Sequence, residues 1–412
     1  MNIEFFLHCV PKMKYLPSYD PKPETGWNGI KALWYEGASY KGKPTKVFAY
    51  IGIPEVQENR KVPAVVLVHG GGGHAYAEWI KIWNQRGYAA IAMDTTGYVP
   101  SNRCKGLTGI ENGKNEEYVR ELYGELEDDA YTLGPDNSEM KDYDFALGEQ
   151  WIFHAVVDTI LAHNILRADA RVDQNKIGIC GVSWGGVITS LAIGYDTRYA
   201  FAIPIYGSAY LGEALTKVTS AFQEKNVVKL WSAEDRLNKV SFPILWLCGL
   251  TDQCFRCWSN SHSYMATKKQ GAVLSIREDL LHGHIVAWES EECYRFADSV
   301  LEQNLPFIYP CNEPHSFVEE TIEVMVPADV EEVKVRLVYL TEPFTYSPNG
   351  EMENMVLSQE VVIHNKIIQT KIPQDAISYY FEFNINANGK HMLSTTSLVC
   401  GANYFRTGCA AY

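Results

Sequence analysis

Short apolar runs alternate with segments of helical spacing along the first three quarters of the chain. The apolar runs lie at residues 62–68, 88–94, 177–180, 200–206, 244–248 and 273–276, and apolar residues recur at helical spacing at 75–86 and 151–167. A hairpin-like pattern over 27–53 precedes them. Continuous apolar strands that alternate with helices form parallel sheets whose two faces are both covered. The pattern therefore predicts an α/β domain over residues 1–309 with a mostly parallel central sheet.

The pattern changes after about residue 310, where short strands follow one another without intervening helices. Candidate strands lie at 321–326, 334–340, 355–363, 367–372 and 379–385, and turn sequences such as S-P-N-G-E and N-A-N-G-K separate them. Several short strands with turn signals between them are typical of all-β sandwiches. Residues 310–412 are therefore predicted to form a small C-terminal all-β sandwich-like domain.

A long acidic and polar segment, at about residues 101–145, interrupts the α/β rhythm. It follows the predicted strand at 88–94, so it extends from the carboxyl end of the sheet. Long loops at this edge often shape the mouth of an active site. A surface excursion without a role in the site is an equally good interpretation.

Charge and cysteine content narrow the functional class. The 412 residues carry 50 acidic against 36 basic side chains, a net charge of -14, which argues against nucleic acid or an anionic membrane as a partner. No apolar run approaches the roughly 20 residues of a membrane span, and the amino-terminal sequence lacks the basic start of a secretory signal. The ten cysteines are dispersed along the chain, which is typical of reduced thiols rather than of a disulfide framework. We expect a cytoplasmic protein, with homo-oligomerisation left open.

Residues 176–186 have the sequence K-I-G-I-C-G-V-S-W-G-G, which is typical of a buried strand followed by a G-x-S-x-G turn. Such a turn exposes a nucleophilic serine between a strand and a helix, and the glycines keep bulky side chains away from the strained backbone. Ser183 is therefore the candidate nucleophile. The alternative is a glycine-rich turn between core elements.

A serine nucleophile needs a base and an acid that orients the base, in the chain order serine, acid, histidine on this architecture. Asp252 follows an apolar strand at a G-x-x-D turn, whereas Asp235 and Asp279 do not follow a clean strand and turn. His282 and His284 both follow the last predicted strand of the α/β region. His282 is favoured as the base because a small residue follows it, and His284 remains the alternative.

The tetrahedral intermediate of acyl transfer needs two backbone N–H donors. The residue after the nucleophile, Trp184, is one candidate, and Gly71 in the sequence H-G-G-G-G after the first apolar strand is the other. This glycine run lacks the Lys and Ser/Thr of a phosphate-binding loop. The C-x-x-C of Cys254 and Cys257 lacks a second pair at zinc spacing, so no metal or cofactor is expected.

These residues make the chain resemble the α/β-hydrolase superfamily over about residues 25–305. The resemblance is nearest to the acetyl xylan esterase and cephalosporin C deacetylase-like branch, with dienelactone hydrolase and prolyl-oligopeptidase relatives. It is carried by V-L-V-H-G-G-G-G, V-D-Q-N-K-I-G-I-C-G-V-S-W-G-G and L-L-H-G-H-I-V-A-W. The resemblance implies a cofactor-independent serine esterase that releases small acyl groups, often acetyl from sugars. It places nucleophile, acid and base at Ser183, Asp252 and His282.

The leading hypothesis is a carboxylic-ester hydrolase that acts on a small or sugar-borne ester through an acyl-serine intermediate. A serine peptidase of the prolyl-oligopeptidase type is the enzymatic alternative, although an amino-terminal propeller would be expected for it. A non-catalytic binding protein on a hydrolase fold is the third hypothesis. Trp79, Tyr206, Trp258 and Trp288 lie near the candidate loops and could stack on a sugar, but core packing is the better interpretation of each.

Overall fold

The structure is a computed structural model that describes residues 2–21, 26, 29–55, 60–97, 99–100, 112–113, 132–213, 221–304, 306–344, 354–387 and 389–405. The α-helices are Ala77–Gln85 (α1), Trp151–Ala168 (α2), Trp184–Tyr195 (α3), Lys225–Trp231 (α4), Glu234–Leu237 (α5), Cys257–Thr267 (α6), His284–Trp288 (α7) and Glu291–Leu301 (α8). The strands of the α/β region are Met13–Tyr15 (β1), Ile30–Tyr40 (β2), Lys43–Gly52 (β3), Val62–Val68 (β4), Ala89–Met93 (β5), Val99–Pro100 (β6), Asn112–Gly113 (β7), Val172–Val182 (β8), Phe201–Ile205 (β9), Leu245–Gly249 (β10) and Val273–Arg277 (β11). The later strands are Tyr309–Pro310 (β12), Glu319–Met325 (β13), Val330–Leu340 (β14), Leu357–Val361 (β15), Ile363–His364 (β16), Ile367–Lys371 (β17), Ser378–Ala387 (β18), Lys390–Thr395 (β19) and Val399–Cys400 (β20).

The centre of the main sheet is parallel, in the strand order β5-β4-β8-β9-β10-β11. An antiparallel edge of β3, β2 and β1 continues it beyond β5. All residues of β5, β9 and β10 are buried, because helices cover the sheet and the strands consist of apolar runs. Helix α2, which is almost entirely buried, packs against β8 and α3. The predicted α/β class with a mostly parallel sheet is confirmed.

Parallel strands place their carboxyl ends at one edge of the sheet, where ligand-binding loops gather. The loops that follow β4, β8, β10 and β11 therefore meet there, and they carry the residues that the sequence analysis selected. We call this region the active-site edge.

The carboxyl-terminal residues are β-rich, as predicted, and form two sheets. One has the order β12-β13-β17-β16, and its strand β13 alternates strictly between exposed and buried positions. The strands β19, β18, β14 and β15, in that order, continue the main sheet, because β19 pairs antiparallel with β11 at Leu274 and Thr395. The short strand β20 pairs with β18. That residues 310–412 fold as a separate domain stays a prediction.

A buried carboxylate ties the carboxyl-terminal region to helix α6. Glu313 accepts hydrogen bonds from Tyr264 Oη on α6 at 2.9 Å and from Nζ of Lys268, the residue directly after α6, at 2.7 Å. It also accepts from the backbone N–H of Ser397 at 2.7 Å and from Ser397 Oγ at 2.9 Å. We call this group of four residues the C-terminal seam. Its donors satisfy both oxygens of a side chain that is 9% exposed.

Most of the acidic segment predicted at 101–145 lies outside the described residues. Its last part, 132–145, returns to the sheet, where Thr132 N–H donates to Pro44 O at 2.9 Å. Across the part of the chain that the structure describes, no helix has both the length and the apolar content that a membrane span requires.

Candidate active site

Ser183 lies at a sharp turn between the end of β8 and the start of α3. Its φ of +59° is unusual for a residue with a side chain, and the hydrogen bond from its N–H to Ile205 O, at 2.8 Å, anchors it to the sheet. A Cβ at Gly185 would lie 2.0 Å from Val68 O, and one at Gly181 would lie 2.1 Å from Gly185 O. Any larger residue would therefore push the turn away from the sheet, which explains the glycines of the motif.

The three predicted triad residues form one continuous hydrogen-bonded chain. His282 Nε2 lies 2.9 Å from Ser183 Oγ, and His282 Nδ1 lies 2.7 Å from Asp252 Oδ2. A carboxylate accepts but does not donate, so Nδ1 carries the proton and Nε2 is free to accept the serine proton. Asp252 is itself held by the backbone N–H groups of Cys254 and Phe255, at 2.7 and 2.8 Å from Oδ1.

The predicted triad combines a fully buried carboxylate with a partly exposed imidazole. The Asp252 side chain is 0% exposed and the His282 side chain is 28% exposed. The carboxylate is thereby shielded from water, while the imidazole remains accessible to a substrate and to the water that hydrolysis requires. This arrangement is able to activate a serine and then a water molecule at the same site.

Tyr206 is hydrogen-bonded to the loop that carries His282. It follows β9 with a φ of +56°, and its hydroxyl donates to Leu281 O at 2.6 Å. Its ring centroid lies 4.8 Å from that of His282. Burial raises the pKa of Tyr206, so the hydroxyl stays protonated and able to donate. The sequence analysis recognised only the aromatic character of Tyr206; its position directly after a parallel strand was the signal that could have indicated a role at the site.

His284 faces a different group from His282. Its Nε2 accepts a hydrogen bond from the N–H of Gly70 at 2.9 Å. Burial, together with the nearby His69 and His282, lowers the pKa of His284 to about 4, so its imidazole is neutral near neutral pH. Of the two candidate bases, the structure places His282 against Ser183 and His284 against the glycine-rich loop.

The two predicted oxyanion donors belong to neighbouring residues, one at the start of α3 and one in the glycine-rich loop. Trp184 is the first residue of α3, and the N–H groups of a first helical turn have no partner within the helix. The positive end of the helix dipole also points there. Gly71 packs against the Trp184 side chain, since a Cβ at Gly71 would lie 3.1 Å from Trp184 Cδ1. Their role as donors stays a prediction.

Aromatic rings and one amide enclose the site next to these donors. The Trp184 ring centroid lies 5.4 Å from that of Trp151 and 6.0 Å from that of Phe255. Asn137 Nδ2 would lie 3.6 Å from a Cβ at Gly71. Asn137 belongs to the described end of the acidic segment, so this part of the segment borders the active-site edge. This position favours a functional interpretation of residues 132–145.

The other aromatic candidates pack in the core. Trp79, Tyr206 and Trp288 are 1%, 0% and 4% exposed, so none of them offers a face to a sugar, and core packing is confirmed for these three. Trp258 is half-buried.

The cysteines of the C-x-x-C face different neighbours. Cys257 Sγ is buried 3.7 Å from Cys248 Sγ. Cys254 is exposed, and its sulfur and the ligand-type atoms of Asp252 and His282 lie within 4.8 Å of one another. Partial desolvation of the sulfur by neighbouring atoms, together with the charge of Asp252, raises the pKa of Cys254 to about 11, which keeps the thiol protonated. Because Asp252 and His282 already bond to each other, we interpret this cluster as the border of the triad.

The model of the dienelactone hydrolase family matches residues 47–293, a span of more than half the chain that contains the three predicted triad residues. No curated protein matches the chain.

Similar solved structures include two acetyl xylan esterases and one peptidase. The acetyl xylan esterase from Paenibacillus sp. R4 is 16% identical, with a TM-score of 0.48, over 72% of this chain and 92% of that one. Acetyl xylan esterase 1 from Thermoanaerobacterium sp. JW/SL YS485 is 13% identical, with a TM-score of 0.48 and the same coverage of 72% and 92%. The Pyrococcus horikoshii acylaminoacyl peptidase is 17% identical, with a TM-score of 0.48, over 70% of this chain and 44% of that one.

Proposed function

The chain belongs to the dienelactone hydrolase family, and from this premise we propose that it is a serine carboxylic-ester hydrolase. Its substrate is a sugar or small-molecule ester from which it removes acetyl or another small acyl group. The observation that carries the proposal is the hydrogen-bonded chain from Asp252 Oδ2 through His282 to Ser183 Oγ, with distances of 2.7 and 2.9 Å. These distances are the ones that proton transfer from a serine to an imidazole requires.

In the acylation half of the reaction, Ser183 Oγ attacks the ester carbonyl carbon while its proton passes to His282 Nε2. The carbonyl oxygen becomes an oxyanion, to which the N–H groups of Gly71 and Trp184 donate. Asp252 remains ionised and stabilises the imidazolium. The intermediate collapses when His282 Nε2 gives its proton to the leaving alkoxide, so that an alcohol departs and an acyl-serine remains.

In the deacylation half, a water molecule takes the place of the alcohol. His282 Nε2 accepts a proton from this water as its oxygen attacks the acyl carbon, and the same two N–H groups hold the second oxyanion. When the bond to Ser183 Oγ breaks, His282 returns the proton to the serine and a carboxylic acid leaves. Apart from the substrate and the water, residues of this chain supply the groups that these steps use.

The preference for a small acyl group rests on the aromatic residues beside the oxyanion donors. Trp184 is 6% exposed and packs edge-on against both Trp151 and Phe255. Large rings in a packed arrangement leave little room for a long acyl chain without rearrangement of the core. This supports acetyl or a similarly short acyl group.

A substrate panel tests the proposal. p-Nitrophenyl acetate, butyrate and octanoate, acetylated xylo-oligosaccharides, and aminoacyl p-nitroanilides are compared with the wild-type protein and with Ser183→Ala. We expect acetate turnover to exceed octanoate turnover by at least about tenfold, and Ser183→Ala to lower kcat by about 10⁴-fold or more with an unchanged circular dichroism spectrum.

Two outcomes would contradict the proposal and distinguish its alternatives. Anilides cleaved faster than esters would indicate a peptidase. Absence of all turnover, with no labelling of Ser183 by a fluorophosphonate, would indicate a binding protein.

A further inference from the structure

Two peptide groups of the glycine-rich loop are held by histidines that take no part in the proton transfers above. The first peptide links His69 to Gly70, and its N–H donates to His284 Nε2 at 2.9 Å. The second links Gly70 to Gly71, and its carbonyl, Gly70 O, lies 2.8 Å from His69 Nδ1 and 3.1 Å from the N–H of Gly73. The N–H of this second peptide is the predicted oxyanion donor, Gly71.

The hydrogen bonds of the second peptide determine the direction of the Gly71 N–H. A carbonyl oxygen can only accept, so His69 Nδ1 carries the proton, and His69 Nε2 is left to accept from Thr95 N–H at 3.0 Å. In a planar trans peptide the C=O and the N–H point in opposite directions. Because His69 and Gly73 hold Gly70 O on one side, the Gly71 N–H points away from them.

The hydrogen bond to His284 holds the same loop next to the nucleophile. A Cβ at Gly70 would lie 2.8 Å from Ser183 Cβ and 2.7 Å from Val182 O, so the loop backbone is in close contact with the elbow. A Cβ at Gly73 would lie 2.6 Å from His284 Nε2, so the imidazole fills the inside of the turn. Loss of this imidazole would leave the Gly70 N–H without its hydrogen-bond acceptor and would open a cavity inside the turn.

We propose that His284 is a positioning residue for ester hydrolysis, holding the Gly70 backbone so that the Gly71 N–H faces the oxyanion. This inference rests on the proposed function, because it assigns His284 a task in the same reaction. His284 touches neither Ser183 Oγ nor the substrate in this role; it acts through the loop. The two histidines of H-G-H thus have separate tasks, one in proton transfer and one in the geometry of the oxyanion site.

The role requires a neutral imidazole, because a protonated Nε2 cannot accept. Among the described residues, the titratable groups that face His284 are His69 and His74 from the glycine-rich loop, Tyr76 directly before α1, and His282 from its own loop. None of them is an acid that would stabilise an imidazolium, and burial with His69 and His282 lowers the pKa of His284 to about 4. The acceptor is therefore present at neutral pH.

The test compares His284→Leu with His284→Gln. Leucine fills a similar volume without an acceptor, whereas glutamine places Oε1 near the position of Nε2. We expect His284→Leu to lower kcat for p-nitrophenyl acetate by about 100-fold with KM changed by less than about twofold, since an oxyanion donor acts mainly in the transition state. His284→Gln should recover at least about tenfold of that loss.

A fluorophosphonate provides a readout that does not depend on which ester is the substrate. Attack of Ser183 on phosphorus, with loss of fluoride, also places negative charge on an oxygen beside Gly71. The labelling rate should fall in His284→Leu by about the same factor as kcat and should recover in His284→Gln. If the wild type is labelled but hydrolyses no ester, the proposed function fails while the labelling rates still decide the role of His284.

The opposite results would overturn the inference. If His284→Leu kept the kcat and the labelling rate of the wild type, the loop would hold its geometry without the imidazole. Equal losses in the leucine and glutamine variants, accompanied by equal falls in melting temperature, would show that His284 only supports the fold. Should His284→Leu fail to fold, His284→Asn serves instead, because its shorter amide cannot reach Gly70; wild-type rates in that variant would also overturn the inference.

Discussion

The active-site edge and the C-terminal seam both bury charged and polar side chains, but they satisfy them differently. At the seam, the carboxylate of Glu313 receives hydrogen bonds from four donors. At the active-site edge, Ser183 has a strained φ of +59°, and His74 Nε2 finds no hydrogen-bond partner among the described residues. Burial lowers the pKa of His74 to about 3.

This difference indicates what each region contributes. A buried charge without hydrogen bonds destabilises the fold. When all its hydrogen bonds are made, it specifies how two parts of the chain pack against each other. Strain and unsatisfied groups are tolerated where they serve a reaction, and the surrounding packing offsets their cost. We therefore expect changes at the active-site edge to affect mainly the rate of ester hydrolysis, and changes at the seam to affect mainly stability.

The largest expected effect is that of Asp252→Asn on kcat. The N–H groups of Cys254 and Phe255 hold the Oδ1 position, so the amide oxygen takes that place and the amide NH₂ faces His282 Nδ1. The imidazole then carries its proton on Nε2 and cannot accept from Ser183. We expect kcat for p-nitrophenyl acetate to fall about 10³–10⁴-fold, with the melting temperature within a few degrees of wild type.

Asp279→Asn is the matched control for this prediction. Asp279 lies in the same part of the sequence but pairs with Arg277, and its side chain is 72% exposed. Its kcat should remain within about twofold of wild type, because surface ion pairs contribute little. A comparable loss of kcat in both variants would show that the distinction between Asp252 and Asp279 is wrong.

The next largest effect is that of Glu313→Ala on stability. The substitution leaves Lys268 and Tyr264 at the seam without their acceptor, so the free energy of unfolding should fall by about 2–3 kcal/mol. Chemical denaturation measures this change, and kcat should remain near wild type because the seam contains no triad residue. Glu332→Ala, which removes an exposed partner of Lys334, should change the free energy by no more than about 0.5 kcal/mol.

If Glu313→Ala left the midpoint of chemical denaturation unchanged, the seam would not contribute to stability as proposed. If the substitution lowered kcat strongly without lowering stability, the seam would act on the reaction, and the difference between the two regions would be wrong.

The last expected effect concerns the pH dependence of stability. The folded pKa of His74, about 3, is lower than the ordinary value. The unfolded chain therefore binds more protons than the folded one between about pH 6.5 and pH 3, so stability decreases as the pH falls through this interval. His74→Phe keeps a ring against Tyr76 and removes the titration. The free energy of unfolding should then fall less between about pH 7 and pH 4.

His262→Gln is the control with the opposite sign. Glu213 raises the pKa of His262, and the side chain is 50% exposed. Its small contribution to stability is present below the ordinary pKa and is lost as the pH rises through the raised value. His262→Gln should therefore not reduce the fall in the free energy of unfolding between about pH 7 and pH 4. Identical acid dependence in wild type and His74→Phe would show that the His74 imidazole is not a source of acid sensitivity.

The sequence by itself was sufficient to predict the parallel strands, helix α2 and the tight turn at Ser183. The apolar runs and helical spacings predicted the parallel strands and α2 to within a few residues, because burial on both faces imposes a local pattern. The glycines around Ser183 reported a steric requirement of a tight turn, which is also local. The strand β19 was not predicted, since the K-H-M-L-S-T sequence of residues 390–395 has no clear alternation.

Only the tertiary structure decided what the two histidines of one loop face. His282 and His284 lie on the same short segment, and each makes a 2.9 Å contact, one with Ser183 and the other with Gly70, more than ninety residues away. The pairing of β11 with β19, which joins the carboxyl-terminal strands to the main sheet, is equally long-range. Hydrophobic periodicity and turn residues carry information only about neighbours along the chain. Hydrogen-bond partners at such separations depend on how the whole sheet is assembled.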